Sequence, residues 1–289
     1  MVPHDFVLAP QPPLPTANAV AFSEEALRRS RGGWPNVIEE RDCAFGPEPW
    51  QRFDLFAPAN PTVPLDVIVF FHGGGWTNGY KEWCGFMAPA VTAGGALLVA
   101  PMYRLAPEFR YPVFLDDSFA ALAAIRQRVA AFGGDPDRLF VAGHSAGGHI
   151  AALLALRADR WPHYGIPAQA IRGCASVSGI MDVHHPSPAA GSLEARVYEA
   201  VLAQPSQDVE ASPVNWLDGT NVPLLLSWGE RDTERVRRSN ERAVGLLAEK
   251  QKHYVARCYP GLDHFQTQLA LGDPAHDWYA ALREMRDRG

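Results

Sequence analysis

Cysteine is scarce and scattered. Cys43, Cys84, Cys174 and Cys258 are the four in 289 residues, and no Cys-x-x-Cys spacing occurs. The pattern reads as four reduced thiols, with Cys174 and Cys258 inside expected strands as small buried hydrophobes. The ten histidines form no paired-ligand spacing beside carboxylates, which leaves a metal site without support. No apolar run approaches the ~18 residues of a membrane span. No basic patch and no run of like charge stands out, and the formal net charge is -6, which argues against nucleic acid as a partner and against a charged tail. The first twenty residues hold Pro3, Pro10, Pro12, Pro13 and Pro15 and lack a charged-then-apolar signal pattern, so the expected location is the cytoplasm. There is no internal repeat and no sign of a second domain.

With 47% hydrophobic and 20% charged residues, the chain can bury a large core as one domain, 1–289. Residues 1–35 read as an arm with one short helix, Ser23 to Arg29, capped by Ser23. The arm either lies over a site mouth or packs elsewhere. Val37 to Ala44 and Gln51 to Phe56 read as a strand pair around the turn residues Gly46 to Pro49. Val67 to Phe71 is continuously apolar, as in a strand buried on both faces.

Helices and strands then alternate. A helix is expected near Met87 to Ala93 and a strand over Ala96 to Ala100. The spacing of Phe119, Leu122, Ile125 and Val129 predicts a helix from Asp116 to Phe132, stopped by Gly133 and Gly134. Further strands are expected at Ile171 to Val177, Val222 to Trp228 and His253 to Tyr259. Helices follow at Glu234 to Lys250 and Pro274 to Arg286. The alternation predicts an α/β fold with a mostly parallel central sheet, helices on both faces and an antiparallel N-terminal hairpin. Residues 183–220 are too long for a plain connection and read as an insertion at the rim, or else as a surface loop.

The stretch that organises the chain is Leu139 to Ile150. An apolar run of strand type enters Gly143-His144-Ser145-Ala146-Gly147, and a small-residue run of helix type follows. A serine on such a hairpin is held exposed and strained, and small neighbours are required where the chain doubles back. This is the nucleophile elbow of an α/β-hydrolase fold.

Acyl transfer through serine also needs a base, an acid that orients it, and donors for the oxyanion. Gly74 and Gly75, in His72-Gly73-Gly74-Gly75-Trp76 just after a buried strand, and Ala146 after the serine are the candidate donors. A phosphate-cradling role for these glycines lacks the Gly-Lys-Ser/Thr or Gly-x-Gly-x-x-Gly that it requires. In this fold the order is serine, acid, histidine. His264 follows the last expected strand and is the candidate base. Asp232 is chosen as the acid from Glu230, Asp232 and Glu234, which follow the preceding strand. Asp263 adjoins the base in sequence and is expected to point away from it. Trp76, Trp83, Tyr103 and Trp228 are candidates for an aromatic substrate pocket, with core packing as the alternative.

From Phe45 onward the chain resembles two neighbouring α/β-hydrolase families. His72 to Trp76, Tyr103-Arg104-Leu105-Ala106-Pro107-Glu108 and Gly143 to Gly148 are similar to the hormone-sensitive-lipase-type carboxylesterases. Arg52 to Phe56, Trp228 to Asp232, Arg238-Ser239, Asp263-His264-Phe265 and Leu269 to Pro274 are similar to the arylformamidases (kynurenine formamidases). Three departures stand out: His144 where the lipase type usually carries aspartate, Met102 in place of an acidic residue, and Gly75 where formamidases often place a bulkier side chain. The resemblance implies a cofactor-free serine hydrolase acting on a small ester or formamide. It leaves the bond type open, and a homodimer stays open with it. A non-catalytic ligand-binding protein on the same scaffold is the rival of another class, disfavoured because all three triad positions are filled.

Overall fold

The computed structural model describes residues 5–61 and 63–288; residues 1–4 of the expected arm lie outside them. Eight strands form one sheet in the order β1-β2-β4-β3-β5-β6-β7-β8. They are β1 (Val37–Ala44), β2 (Arg52–Pro58), β3 (Leu65–Phe71), β4 (Ala96–Pro101), β5 (Gly134–His144), β6 (Ile171–Val177), β7 (Leu224–Arg231) and β8 (Tyr254–Asp263). From β4 to β8 all pairings are parallel, whereas β2 runs antiparallel to both β1 and β4. This is the α/β-hydrolase architecture expected from the alternation of elements.

Side-chain alternation explains why both faces are covered. On β3, Val67, Val69 and Phe71 join a core with the inward residues of α3 (Val113–Arg128), α4 (Ala146–Leu156) and α6 (Glu234–Glu249). Ile68 and Phe70 point the other way, into a core built with α1 (Ala17–Arg29), α2 (Ala88–Ala93) and α8 (Asp277–Arg288). All five side chains are buried, each worth roughly 1.5–3 kcal/mol relative to exposure. That is why β3 reads as an unbroken apolar run.

Several boundaries differ from the sequence reading, for physical reasons. The first helix begins at Ala17, and its cap is Thr16, whose Oγ1 accepts from the Ala19 N–H at 3.2 Å. Ser23 lies inside the helix and accepts from Trp83 Nε1 at 3.0 Å. The buried face Ala19, Phe22, Ala26 has helical spacing, and it extends the helix upstream of the charged stretch. β7 and β8 run further than their apolar stretches, because they continue to pair past Gly229. Glu230 therefore sits on a strand, and its carboxylate accepts from the Gly261 N–H at 2.8 Å. Cys43, Cys84 and Cys174 are buried free thiols, but Cys258 is exposed on β8, the outermost strand.

Candidate active site

β3, β5, β7 and β8 run parallel, so the segments leaving their carboxyl ends meet on one rim. Ser145 stands between β5 and α4 with φ 54° and ψ -117°, a left-handed conformation that a non-glycine residue adopts only under constraint. Its N–H is tied to the Val177 carbonyl oxygen at 2.9 Å. The bend leaves no room beside it: a Cβ on Gly147 would stand 2.0 Å from the Phe71 carbonyl oxygen, and one on Gly143 2.4 Å from Gly147.

Three side chains predicted from far-apart positions meet here. His264 Nε2 lies 2.9 Å from Ser145 Oγ, and His264 Nδ1 lies 2.8 Å from Asp232 Oδ1. An ionised carboxylate only accepts hydrogen bonds, so Nδ1 carries the hydrogen and Nε2 is left free to accept from the hydroxyl. Asp232 also accepts from the Thr233 N–H at 2.7 Å. Burial pushes its carboxyl up, but hydrogen bonds from His264, the histidine's charge, the Ser178 hydroxyl and the Thr233 N–H hold it below the ordinary carboxylate value. The Asp232 carboxyl is thus kept ionised although it is buried.

Sequence reasoning missed the residues that hold His264. The His264 carbonyl oxygen accepts from His144 Nε2 and from Thr267 Oγ1, each at 2.7 Å. The His144 and His264 ring centroids lie 4.7 Å apart. Burial and the neighbouring imidazole keep the His144 pKa far below the usual histidine value, so His144 stays neutral beside His264. The signal was its place: in Gly-x-Ser-x-Gly the residue before the serine must sit beside whatever approaches the serine.

Gly74 (φ 112°) and Gly75 (φ 61°) both need the left-handed region, and a Cβ on Gly74 would lie 2.1 Å from the Asn78 carbonyl oxygen. The Gly74 carbonyl oxygen accepts from the Thr77 and Asn78 N–H groups, which fixes this loop beside Ser145. His72 supports it from beneath. Its Nδ1 bonds the Gly73 carbonyl oxygen at 2.8 Å, and its ring stacks on Tyr103 at 4.3 Å, whose hydroxyl donates to the His72 carbonyl oxygen. Ala146 opens α4, and its N–H has no intrahelical acceptor.

A cavity of about 240 Å³ opens onto Ser145 and His264. Trp76 and Trp83 line it, with Leu14, Ala19 and Phe22 of the arm and Leu193, Val197 and Val201 of segment 183–220. Tyr103 and Trp228 do not line it: Tyr103 is fully buried under His72, and Trp228 lies in the core on the α3–α4 side of the sheet. Trp76 is set by its indole N–H, which donates to His149 Nδ1 at 3.2 Å, while His149 Nε2 donates to the Ala211 carbonyl oxygen. Among the described residues no group of three or more His, Cys, Asp or Glu is arranged to hold a metal, and no helix is long and apolar enough to cross a membrane.

A family model for the alpha/beta hydrolase fold matches residues 68–267. The chain belongs to this family. The matched span includes the Gly74–Gly75 loop, Ser145, Asp232 and His264. Among curated alpha/beta hydrolase relatives, the carboxylesterase NlhH of Mycobacterium tuberculosis is 48% identical over 119 residues, 41% of this chain but 37% of that protein's length. The kynurenine formamidase of Salmo salar is 27% identical over 259 residues, covering 88% of this chain and 84% of the relative. Among solved structures, phosphonate-inhibited esterase B from Lactobacillus rhamnosis superposes with a TM-score of 0.74 at 18% identity, over 94% of each chain. An esterase of Pseudomonas putida gives 0.72 at 24% identity, over 94% of this chain and 89% of the other. At these identities the likeness is one of fold.

Proposed function

We propose that the protein is a serine hydrolase that cleaves a small ester or formamide through an acyl-enzyme on Ser145. The observation that carries this reading is the continuous chain Ser145 Oγ, His264 Nε2, His264 Nδ1, Asp232 Oδ1, with 2.9 Å and 2.8 Å contacts opening into a cavity. Ser145 Oγ attacks the carbonyl carbon as His264 takes its proton, and Asp232 stabilises the imidazolium that forms. The N–H groups of Gly74, Gly75 and Ala146 receive the oxyanion. His264 then protonates the leaving alcohol or amine, and water, deprotonated by the same histidine, releases the acid and frees Ser145. No step calls for a cofactor.

Carboxylesterase activity is the first reading, supported by the esterase relatives and structural neighbours. Formamide hydrolysis is the second, supported by a formamidase relative aligned along most of both chains. We read the arm and segment 183–220 as the walls that enclose the substrate, because both contribute cavity-lining side chains. A reducing cytoplasmic setting fits the four free thiols.

A panel of short-chain 4-nitrophenyl esters and N-formylkynurenine, run on wild type and Ser145→Ala, tests the reading. The expected result is turnover that falls at least about a thousandfold in the variant. The ratio of ester to formamide turnover ranks the two bonds. Unchanged turnover in Ser145→Ala overturns the nucleophile, whereas no turnover in wild type together with a Ser145 that a phosphonate fails to label favours a non-catalytic binding protein.

A further inference from the structure

Resting on the serine-hydrolase reading, we infer that the substrate carries a carboxylate, bound by Arg235 and Arg196 in the cavity beside Ser145. The cavity wall is mostly apolar. Among the described residues it contains two arginines and no aspartate or glutamate, in a molecule whose formal net charge is -6. A positive patch inside a negative molecule is not a by-product of bulk composition.

The two guanidiniums are poorly compensated by the protein. Arg235, near the start of α6, reaches the Leu193 carbonyl oxygen through Nη1 at 3.4 Å, and its Nη2 is buried without a hydrogen-bond partner. Arg196, in the helix α5 (Leu193–Arg196), donates from Nη2 to Thr77 Oγ1 at 3.0 Å, which ties it to the loop that carries Gly74 and Gly75. Among the described residues neither makes a contact ion pair, although most other arginines near carboxylates do, Arg104 with Asp117 and Arg157 with Asp159 among them. Glu194 and Asp182 line a second depression that Arg235 also borders; Asp182 is paired with Arg242, and both carboxylates act on Arg235 only through space.

A guanidinium taken out of water without a counter-charge is unfavourable, and a buried N–H without an acceptor adds to that. An arriving carboxylate supplies the missing counter-charge, and its two oxygens suit the planar fork of a guanidinium through charge-assisted bonds. The volume of about 240 Å³ accommodates a group of the size of a substituted benzene ring, since a cavity of roughly 150 Å³ already holds benzene. The substrate class is therefore a compact ester or formamide with a carboxylate placed away from the scissile bond. Arg235 and Arg196 set specificity and take no part in proton transfer.

The test compares charged and neutral substrates of matched shape. One pair, 4-acetoxybenzoate against 4-acetoxybenzamide, puts the charge on the leaving side. The other, the 4-nitrophenyl monoester of succinate against that of succinamate, puts it on the acyl side. In wild type, kcat/KM is expected to favour the anion by about tenfold or more in one pair, and Arg235→Met to cut that ratio at least about tenfold. A ratio near one in both pairs, or a preference that Arg235→Met leaves intact, overturns the inference. Calorimetric titration of wild type with benzoate and with benzamide needs no variant and no turnover. Binding of benzoate alone supports the anion site, and equal binding or none of either overturns it. Hydrolysis of neutral esters that depends on Ser145 while both ratios stay near one would sink this inference and leave the serine-hydrolase reading standing. Loss of all turnover and of Ser145 labelling would sink that reading instead.

Discussion

A hydroxyl is a weak nucleophile at neutral pH, so what matters at Ser145 is how firmly its neighbours are held. His264 is fixed at three points: Nδ1 by Asp232, and the carbonyl oxygen by His144 and Thr267. Replacing His264 by alanine removes the proton acceptor, and kcat/KM for a short-chain ester is expected to fall by about 10⁴-fold or more with circular dichroism unchanged. Asp232→Asn keeps the shape but no longer favours the productive tautomer, so a smaller loss of roughly 10²- to 10⁴-fold is expected in the same assay. Near-wild-type rates in either variant would reject that assignment. Both residues were legible because each follows an apolar strand in the order that the fold imposes. Tyr103 and Trp228 illustrate the converse. Aromatic character alone did not tell a cavity wall from a core, and the stacking of Tyr103 on His72 was invisible without coordinates.

The tightest constraint among elements is the approach of α4 to β3 behind the serine. The 2.0 Å that a Cβ on Gly147 would leave to the Phe71 carbonyl oxygen is far inside van der Waals contact, and the obstacle is backbone, which cannot rotate away. Gly147→Ala is therefore expected to destabilise the protein by more than about 2 kcal/mol, seen as a lower denaturation midpoint, and to lower kcat even at temperatures where it stays folded. An unchanged midpoint would show that the two elements can separate freely. The same packing explains which elements could be read from the sequence. β3, β5 and β6 lie between two buried faces and leave apolar runs in the sequence. The ends of β7 and β8 do not, because pairing rather than burial extends them through Glu230 and Asp263. The start of α1 was hidden for a similar reason: the capping Thr16 follows a proline-rich stretch, and the helix's buried face became evident only against Trp83, Phe86 and the core beneath it.

At the scale of the whole molecule, three buried neutral histidines, His72, His144 and His149, couple folding to pH. Burial lowers His72 and His149 to about 4 and depresses His144 as well. In the unfolded chain a histidine takes up a proton near its ordinary value of about 6.5. Between roughly pH 6.5 and pH 4 the unfolded state therefore binds more protons than the native one, and stability falls as pH falls. Asp232 adds to the loss at still lower pH, since its depressed carboxyl contributes stability above its unfolded value that disappears on protonation. Each tenfold difference in proton affinity between the folded and unfolded chain is worth about 1.4 kcal/mol, so urea denaturation at pH 7 and pH 4.5 is expected to differ by a few kcal/mol. A flat profile across that window would mean that these rings are hydrated or already charged.

The pocket wall joins early and late parts of the polypeptide. Phe22 of α1 stacks on Phe265, next to the base, with centroids 5.2 Å apart. On the ribosome, at about 5–20 residues per second, the second ring emerges on the order of ten or more seconds after the first. Until then the apolar side of α1 lacks this partner and Ser145 lacks the imidazole that contacts its hydroxyl. On the proposed mechanism, a chain that ends before His264 is therefore expected to be inactive, with the apolar side of α1 left without this contact.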